Sequence, residues 1–524
     1  MAGEPVKRRA SVLTRAAFGL DAHPVHVECH LAGGLPGTTV VGLAEGAVKE
    51  ARDRVKSAIR NSGFHYPTSH ITLNLAPSHL TKSGTAFDLP IAIAILAASE
   101  QIPTDALADT EFVGELSLFG DLRETSNLLA SAIACDSANH RLFLPLANDT
   151  EIALVGSDKS WPATSLYEVA QMLCGRREQP PMVKAIAPDA ATTTGRFNEI
   201  IGQYQAKRAL TIAAAGGHHM LMVGPPGTGK TMLAECLIDL LPDLDKPDAL
   251  SVASIYSAFG VRRSNVMRPP LRRPHHSASN ASISGGGHTP TPGEVSLAHR
   301  GVLFLDELPH FKPSTLDLLR EPIETGEIAI VRARYRTVLP SRFQLIAAMN
   351  PCPAGRSCKE QTCRCTSSQV QRYQSRVSGP LLDRIDLHVP VPELDEALMQ
   401  HHQNEVESDQ GELQRTRTNV SLAQRRQRQQ QGCLNANLSS EALARRINEA
   451  DFAPTFLADV CKKLELSMRS YHKVWRVALT IADLEHAASP PAPGSQPESV
   501  SPAVTEQHFM EALSYRTMTW GGEG

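Results

Sequence analysis

The run Leu221-Met-Val-Gly-Pro-Pro-Gly-Thr-Gly-Lys-Thr231 passes from an apolar, strand-like triplet into a turn holding three glycines and a lysine. A strand that ends in such a turn can aim its backbone N–H groups at phosphate oxygens. Gly224, Pro225, Pro226, Gly227, Thr228 and Gly229 would form the cradle, Lys230 would reach the outer phosphates, and the Thr231 hydroxyl would hold Mg²⁺. Met232 to Leu241 reads as the helix that follows, adding its positive N-terminal end.

A second motif supports the first. In Gly301-Val-Leu-Phe-Leu-Asp-Glu307 a buried-strand run delivers two adjacent carboxylates to its C-terminal end. Asp306 suits the Mg²⁺ shell and Glu307 suits an attacking water, so the pair of motifs predicts ATP binding and hydrolysis. Leu345-Ile-Ala-Ala-Met is another apolar strand, and it ends on Asn350, a side chain placed to orient that water.

Composition sets the bounds. A chain of 524 residues suggests roughly three domains at ~150 residues each. The formal net charge of −3 gives no globally basic nucleic-acid binder, so any such surface is local. No run of 18 apolar residues is present, which predicts a soluble cytoplasmic protein with no membrane partner. Ten cysteines without secretory context read as reduced thiols or metal ligands.

Residues 1–175 alternate β-like runs at Val25, Thr39 and Ile71 with helices over Glu45–Ser62 and Leu89–Ser99, the second apolar nearly all round, giving an α+β domain. Residues 176–195, with Pro180, Pro181 and an Ala/Thr-rich run, read as a linker. Residues 196–395 hold both nucleotide motifs. Residues 396–524 begin with a polar, Gln-rich stretch read as a solvated linker helix, followed by a helical lid.

Between Ala249 and Gly293 there is no acidic residue, yet Arg262, Arg263, Arg268, Arg272 and Arg273 fall there. A basic insert at about 255–292 is an electrostatic footprint for phosphates; the competing reading is a solvated loop whose arginines pair with neighbouring subunits. Arg332, Arg334 and Arg336 alternate along a hairpin arm, so a strand would place all three on one face, against a nucleic-acid backbone or as a charged edge. Cys352, Cys358, Cys363 and Cys365 form a Cys-rich loop over 352–365 that can close a structural Zn²⁺ site or remain reduced thiols.

Three resemblances add to these readings. Asn74-Leu-Ala-Pro, Lys82-Ser-Gly-Thr-Ala-Phe-Asp and Val113-Gly-Glu-Leu-Ser-Leu resemble the Lon-type protease domain. That motif puts its nucleophile at Ala86, which has no nucleophilic atom. No Lys occurs between Lys82 and Lys159 to act as base, and Ser83 and Thr85 are displaced from the motif position. The resemblance therefore implies a degenerate, proteolytically inactive domain. Gly379-Pro-Leu-Leu-Asp-Arg-Ile-Asp-Leu-His resembles the AAA+ ATPases of the magnesium-chelatase-like branch, which makes Arg384 the arginine finger of a ring, usually of six.

With Gly293-Glu-Val-Ser-Leu-Ala-His-Arg-Gly-Val-Leu-Phe-Leu-Asp-Glu and Ala347-Ala-Met-Asn-Pro-Cys-Pro, nearly the whole chain is similar to the ComM or YifB family. This likeness implies an AAA+ core with a parallel sheet, a helical lid whose Arg469 contacts the γ-phosphate, and the two Arg-bearing segments in a central channel. It also implies a helicase for branch migration during natural transformation, acting on single-stranded and branched DNA with recombinase filaments as partners. The alternative is an ATP-driven remodeller of a protein partner.

Overall fold

A computed structural model describes residues 8–42, 46–80, 82, 84–178, 196–200, 202–261, 263, 265–286, 291–332, 335–355, 365–393, 411–450, 467–488 and 502–516. The chain divides into two compact units, one of Met1–Asp189 with Lys246–Val266 and one of Ala190–Asp245 with Met267–Gly524. The linker expected over 176–195 lies largely outside the described residues.

The first unit is built on a seven-stranded mixed sheet in the order Gly37–Val41, His70–Ala76, Asp21–Ala32, Arg9–Phe18, Thr110–Phe112, Arg141–Pro145, Ser160–Ala163. Alternation is what places its core. Val25, Val27, Cys29 and Leu31 on one strand and Ile71, Leu73 and Leu75 on its antiparallel neighbour are all buried, while the residues between them are more exposed. The helix Asp88–Ala98, read as apolar all round, is buried along its whole length. Both features match the α+β reading. The helix Lys246–Ala258 also belongs to this unit, because Ala253 joins the cluster of Val113, Leu128, Leu129 and Ala132. The 196–395 segment read as one domain thus contributes residues to both units.

The second unit carries a five-stranded, all-parallel sheet in the order Leu271–Arg272, Val302–Leu305, Gln344–Met349, Met220–Val223, Leu387–Pro390. Its three central strands are buried at every position, as continuous apolar runs require when helices cover both faces. Helices Glu412–Gln431, Met468–Ala488 and Glu506–Ser514 pack with it, and Trp475 sits fully buried with its ring 5.3 Å from that of Phe509.

The Gln-rich helix departs from expectation. It is not simply solvated: Val420, Ala423, Gln424 and Gln427 are buried, and the Gln424 amide donates to the Ala214 carbonyl at 2.7 Å. A glutamine pairs with backbone at little cost, so a polar sequence can still present an inward face. Among the described residues no helix is long and apolar enough to cross a membrane.

Candidate nucleotide site and its surroundings

Parallel strands share a direction, so whatever follows their C-terminal ends is gathered at one edge of the sheet. Val223 pairs with Met349, and Leu305 with Ala347, which brings Gly224, Asp306 and Asn350 to the same edge. A side chain at Gly224 would put its Cβ 2.0 Å from the Val391 carbonyl oxygen, so close approach alone demands glycine. Gly227 and Gly229 have φ of 81° and 84°, and a Cβ on either would meet nothing within 4 Å. The left-handed backbone selects glycine here, and the space before it is open to a phosphate chain. The helix Lys230–Leu240 starts directly from this turn.

The Lys230 ammonium donates to the carbonyls of Gly224 and Pro225 at 2.8 and 2.6 Å and to Oδ1 of Asn350 at 3.3 Å. Burial lowers its pKa, while Asp306 pulls the other way. A lysine held in a dry cradle by neutral acceptors is prepared for a stronger anionic partner. The Thr231 hydroxyl donates to Oδ2 of Asp306 at 2.9 Å. A hydroxyl and a carboxylate already facing each other are the hard oxygen donors Mg²⁺ takes, so these residues fit that ion.

Around the tandem carboxylates stand Arg273, His276 and His310. Arg273, expected in a DNA-binding insert, lies 3.7 Å from Asp306 and 3.2 Å from Glu235, with its guanidinium over the Phe304 ring. Glu307 is approached by His276 at 3.3 Å and His310 at 3.6 Å. The local signal was the Pro-His-His at 274–276 and the i, i+3 spacing of Glu307 and His310. Arg384 and Arg469 both pair with Glu324, Arg384 at 2.9 Å, and Arg384 also donates to the Pro380 carbonyl at 2.7 Å. The arginine expected to serve a neighbouring subunit is therefore bound within its own chain, on the carboxylate that also holds the expected lid arginine.

The basic insert is less free than its sequence suggests. Arg268 pairs with buried Asp239 at 2.6 Å, and Arg272 grips Glu294 through two nitrogens at 2.6 and 2.8 Å. Arg263 lies over the Tyr256 ring at 5.1 Å. An acid-free stretch of sequence is not an acid-free environment, because its partners come from the helix Lys230–Leu240 and from Glu294 just beyond it. Arg262 and Arg334 lie outside the described residues.

The hairpin arm forms from strands Glu327–Arg332 and Tyr335–Pro340. Its register pairs Arg332 with Tyr335 and Val331 with Arg336. That register places Arg332 and Arg336 on paired antiparallel strands rather than along one strand, which departs from the single-strand expectation.

Of the four cysteines, Cys352 is buried and Cys365 half-buried, while Cys358 and Cys363 lie outside the described residues. Among the described residues no three His, Cys, Asp or Glu side chains group to hold a metal. The two described cysteines by themselves supply half of the four ligands a closed zinc site takes.

In the first unit, Lys82 is fully buried and its ammonium donates to the Pro77 carbonyl, while the Thr85 hydroxyl donates to Glu115. Ala86 packs at the edge of an apolar cluster.

Residues 196–399 match the family model described as magnesium chelatase, subunit ChlI, residues 27–148 match subunit ChlI of Mg-chelatase, and residues 412–494 match the ChlI C-terminal model. The chain is 43% identical over 516 residues to competence protein ComM of Haemophilus influenzae, covering 97% of each chain. It is likewise 43% identical over 511 residues to the uncharacterized protein YifB of Escherichia coli, again 97% of each. A magnesium-chelatase 38 kDa subunit of Rhodobacter capsulatus is 29% identical over 174 residues, 30% of this chain and 50% of that one. A parallel sheet with a phosphate loop and tandem carboxylates, a helical C-terminal part and near full-length identity together place this chain in the ComM/YifB family of magnesium-chelatase-like AAA+ proteins.

Proposed function

We propose that this chain is an ATPase that assembles as a ring, of six subunits by resemblance, and uses hydrolysis to move along single-stranded and branched DNA. Its setting is the cytoplasm, where branch migration would extend recombination of DNA taken up in natural transformation. The observation that carries the ATPase step is the convergence of Lys230, Thr231, Asp306, Glu307 and Asn350 at one edge of one sheet. The DNA step rests on the relative named a competence protein.

In this reading the loop amides and Lys230 bind the phosphates, Thr231 and Asp306 hold Mg²⁺, and Asn350 and Glu307 orient and deprotonate the attacking water. The metal supplies neutralisation of charge on the phosphate oxygens. Arg469 would leave Glu324 for the γ-phosphate, and Arg384 would leave it to complete the neighbouring subunit's site. The first unit serves as a degenerate Lon-type scaffold without peptidase activity, since Ala86 offers no nucleophile.

The test is steady-state ATP hydrolysis with and without single-stranded and forked DNA at two salt concentrations. DNA should stimulate turnover, less so at the higher salt because phosphate contacts release counterions. Glu307→Gln should reduce turnover by about 10²-fold or more. One observation favours the alternative, an ATP-driven remodeller of a protein partner: Arg268, Arg272 and Arg273 are committed to carboxylates of their own chain. A rate indifferent to DNA, with hydrolysis intact, would select that reading.

A further inference from the structure

Glu307 has the side chain most in need of restraint at this site. It is about half exposed, and a glutamate that must face one water gains nothing from free rotation. Its backbone adopts φ 53° and ψ 47°, a left-handed conformation uncommon outside glycine, and its own N–H donates to Oδ1 of Asp306 at 2.9 Å. Such backbone outliers are kept where surrounding contacts over-determine them.

Two imidazoles close on this carboxylate from different segments. His276 Nδ1 lies 3.3 Å and His310 Nδ1 3.6 Å from the same oxygen, Oε2. The rings are themselves held. His275 lies tilted against His276 at 4.1 Å, His276 meets His310 edge-on at 5.8 Å, and His310 meets buried Tyr373 edge-on at 6.1 Å. Three residues before His276, Arg273 reaches Asp306. The segment from Arg273 to His276 therefore touches both tandem carboxylates, one through a guanidinium and the other through an imidazole.

We propose that His276 and His310 are positioning residues for Glu307: by bracketing Oε2 they present Oε1 to the attacking water. This rests on the reading of Glu307 as the base in ATP hydrolysis. The segment 273–276 then belongs to the ATPase site, not to a DNA-binding insert. Neither imidazole touches the nucleotide in this scheme, so each acts on turnover through Glu307 and leaves ATP binding alone.

The experiment compares full-length wild type with His276→Ala, His310→Ala, His276→Asn, His310→Asn and Glu307→Gln, measuring kcat and KM for ATP together with nucleotide affinity. Asparagine carries an N–H donor where the Nδ1 atom stood. The expected result is a kcat lowered about tenfold or more in each alanine variant, since small misplacement of a reacting group is costly. KM and nucleotide affinity should stay near wild type, and each asparagine variant should recover most of the loss. Wild-type turnover in both alanine variants, with Glu307→Gln inactive, would overturn the proposal while leaving the ATPase reading intact. So would asparagine variants as impaired as alanine, or affinity losses that match the kcat losses. No hydrolysis by the wild type would instead remove the ATPase reading itself.

Discussion

At the scale of single residues, the site depends on which atoms are kept neutral and dry. His299, just before the carboxylate strand, is buried, and its Nδ1 accepts the Arg342 N–H at 3.0 Å, a contact only the unprotonated ring nitrogen can make. Burial, with Arg300 and Arg342 nearby, pushes its pKa down to about 3. An unfolded histidine titrates near 6.5, so as pH falls below that value the unfolded chain takes up a proton that the folded chain refuses. Stability from this residue is thus complete above about pH 6.5 and drains away as pH drops toward 3. His299→Asn keeps an acceptor in place without a titrating group. Thermal melting of that variant should fall less steeply between pH 6.5 and pH 4 than that of the wild type. Equal slopes would show that His299 does not carry the dependence.

At the scale of elements, the C-terminal helix Met468–Ala488 is tied to the sheet by buried polar contacts. Lys473 donates to Asp386 at 2.6 Å and to the Arg384 carbonyl at 2.9 Å, and Thr480 bonds His218 at 2.8 Å. Burial alone would raise the Asp386 pKa, but Lys473 and His218 hold it well below the usual carboxylate range. Removing one partner strands the other charge, so Lys473→Met should cost about 3–5 kcal/mol, read as a drop in Tm. Replacing both, as Lys473→Met with Asp386→Leu, should recover part of that loss. If the double variant is no better than the single one, the pair is not what binds the helix to the sheet. The elements themselves were largely legible in advance. The phosphate-loop helix, the buried helix Asp88–Ala98 and the strand at Val302–Leu305 follow from apolar periodicity and glycine turns, which are local properties. The inward face of the Gln-rich helix was not, since its glutamines and arginines find partners only after folding.

At the scale of the whole molecule, the arginines test whether sites are shared between subunits. Glu324 holds Arg384 and Arg469 in one chain, so a ring that uses Arg384 in trans must exchange that contact for one with a neighbour. Arg384→Ala and Glu307→Gln should each be inactive alone. Equal mixing should restore roughly a quarter of the sites in a closed ring, because half the subunits keep Glu307 and half their neighbours keep Arg384. No recovery in assembled mixtures would confine Arg384 to its own subunit.

What the sequence determined by itself is whatever short-range chemistry determines. The phosphate loop needs glycines at a set spacing, the two carboxylates need an apolar run before them, and Ala86 removes a nucleophile whatever surrounds it. What only the tertiary structure decided is which charges meet. Arg273 reached Asp306, Arg268 reached Asp239 and two arginines shared Glu324. Lys246–Ala258 joined the first unit, and Arg332 and Arg336 fell on paired strands of the hairpin. Ion pairs and strand register join residues distant along the chain, and their choice among many like-charged candidates is made by packing, which no local spacing encodes.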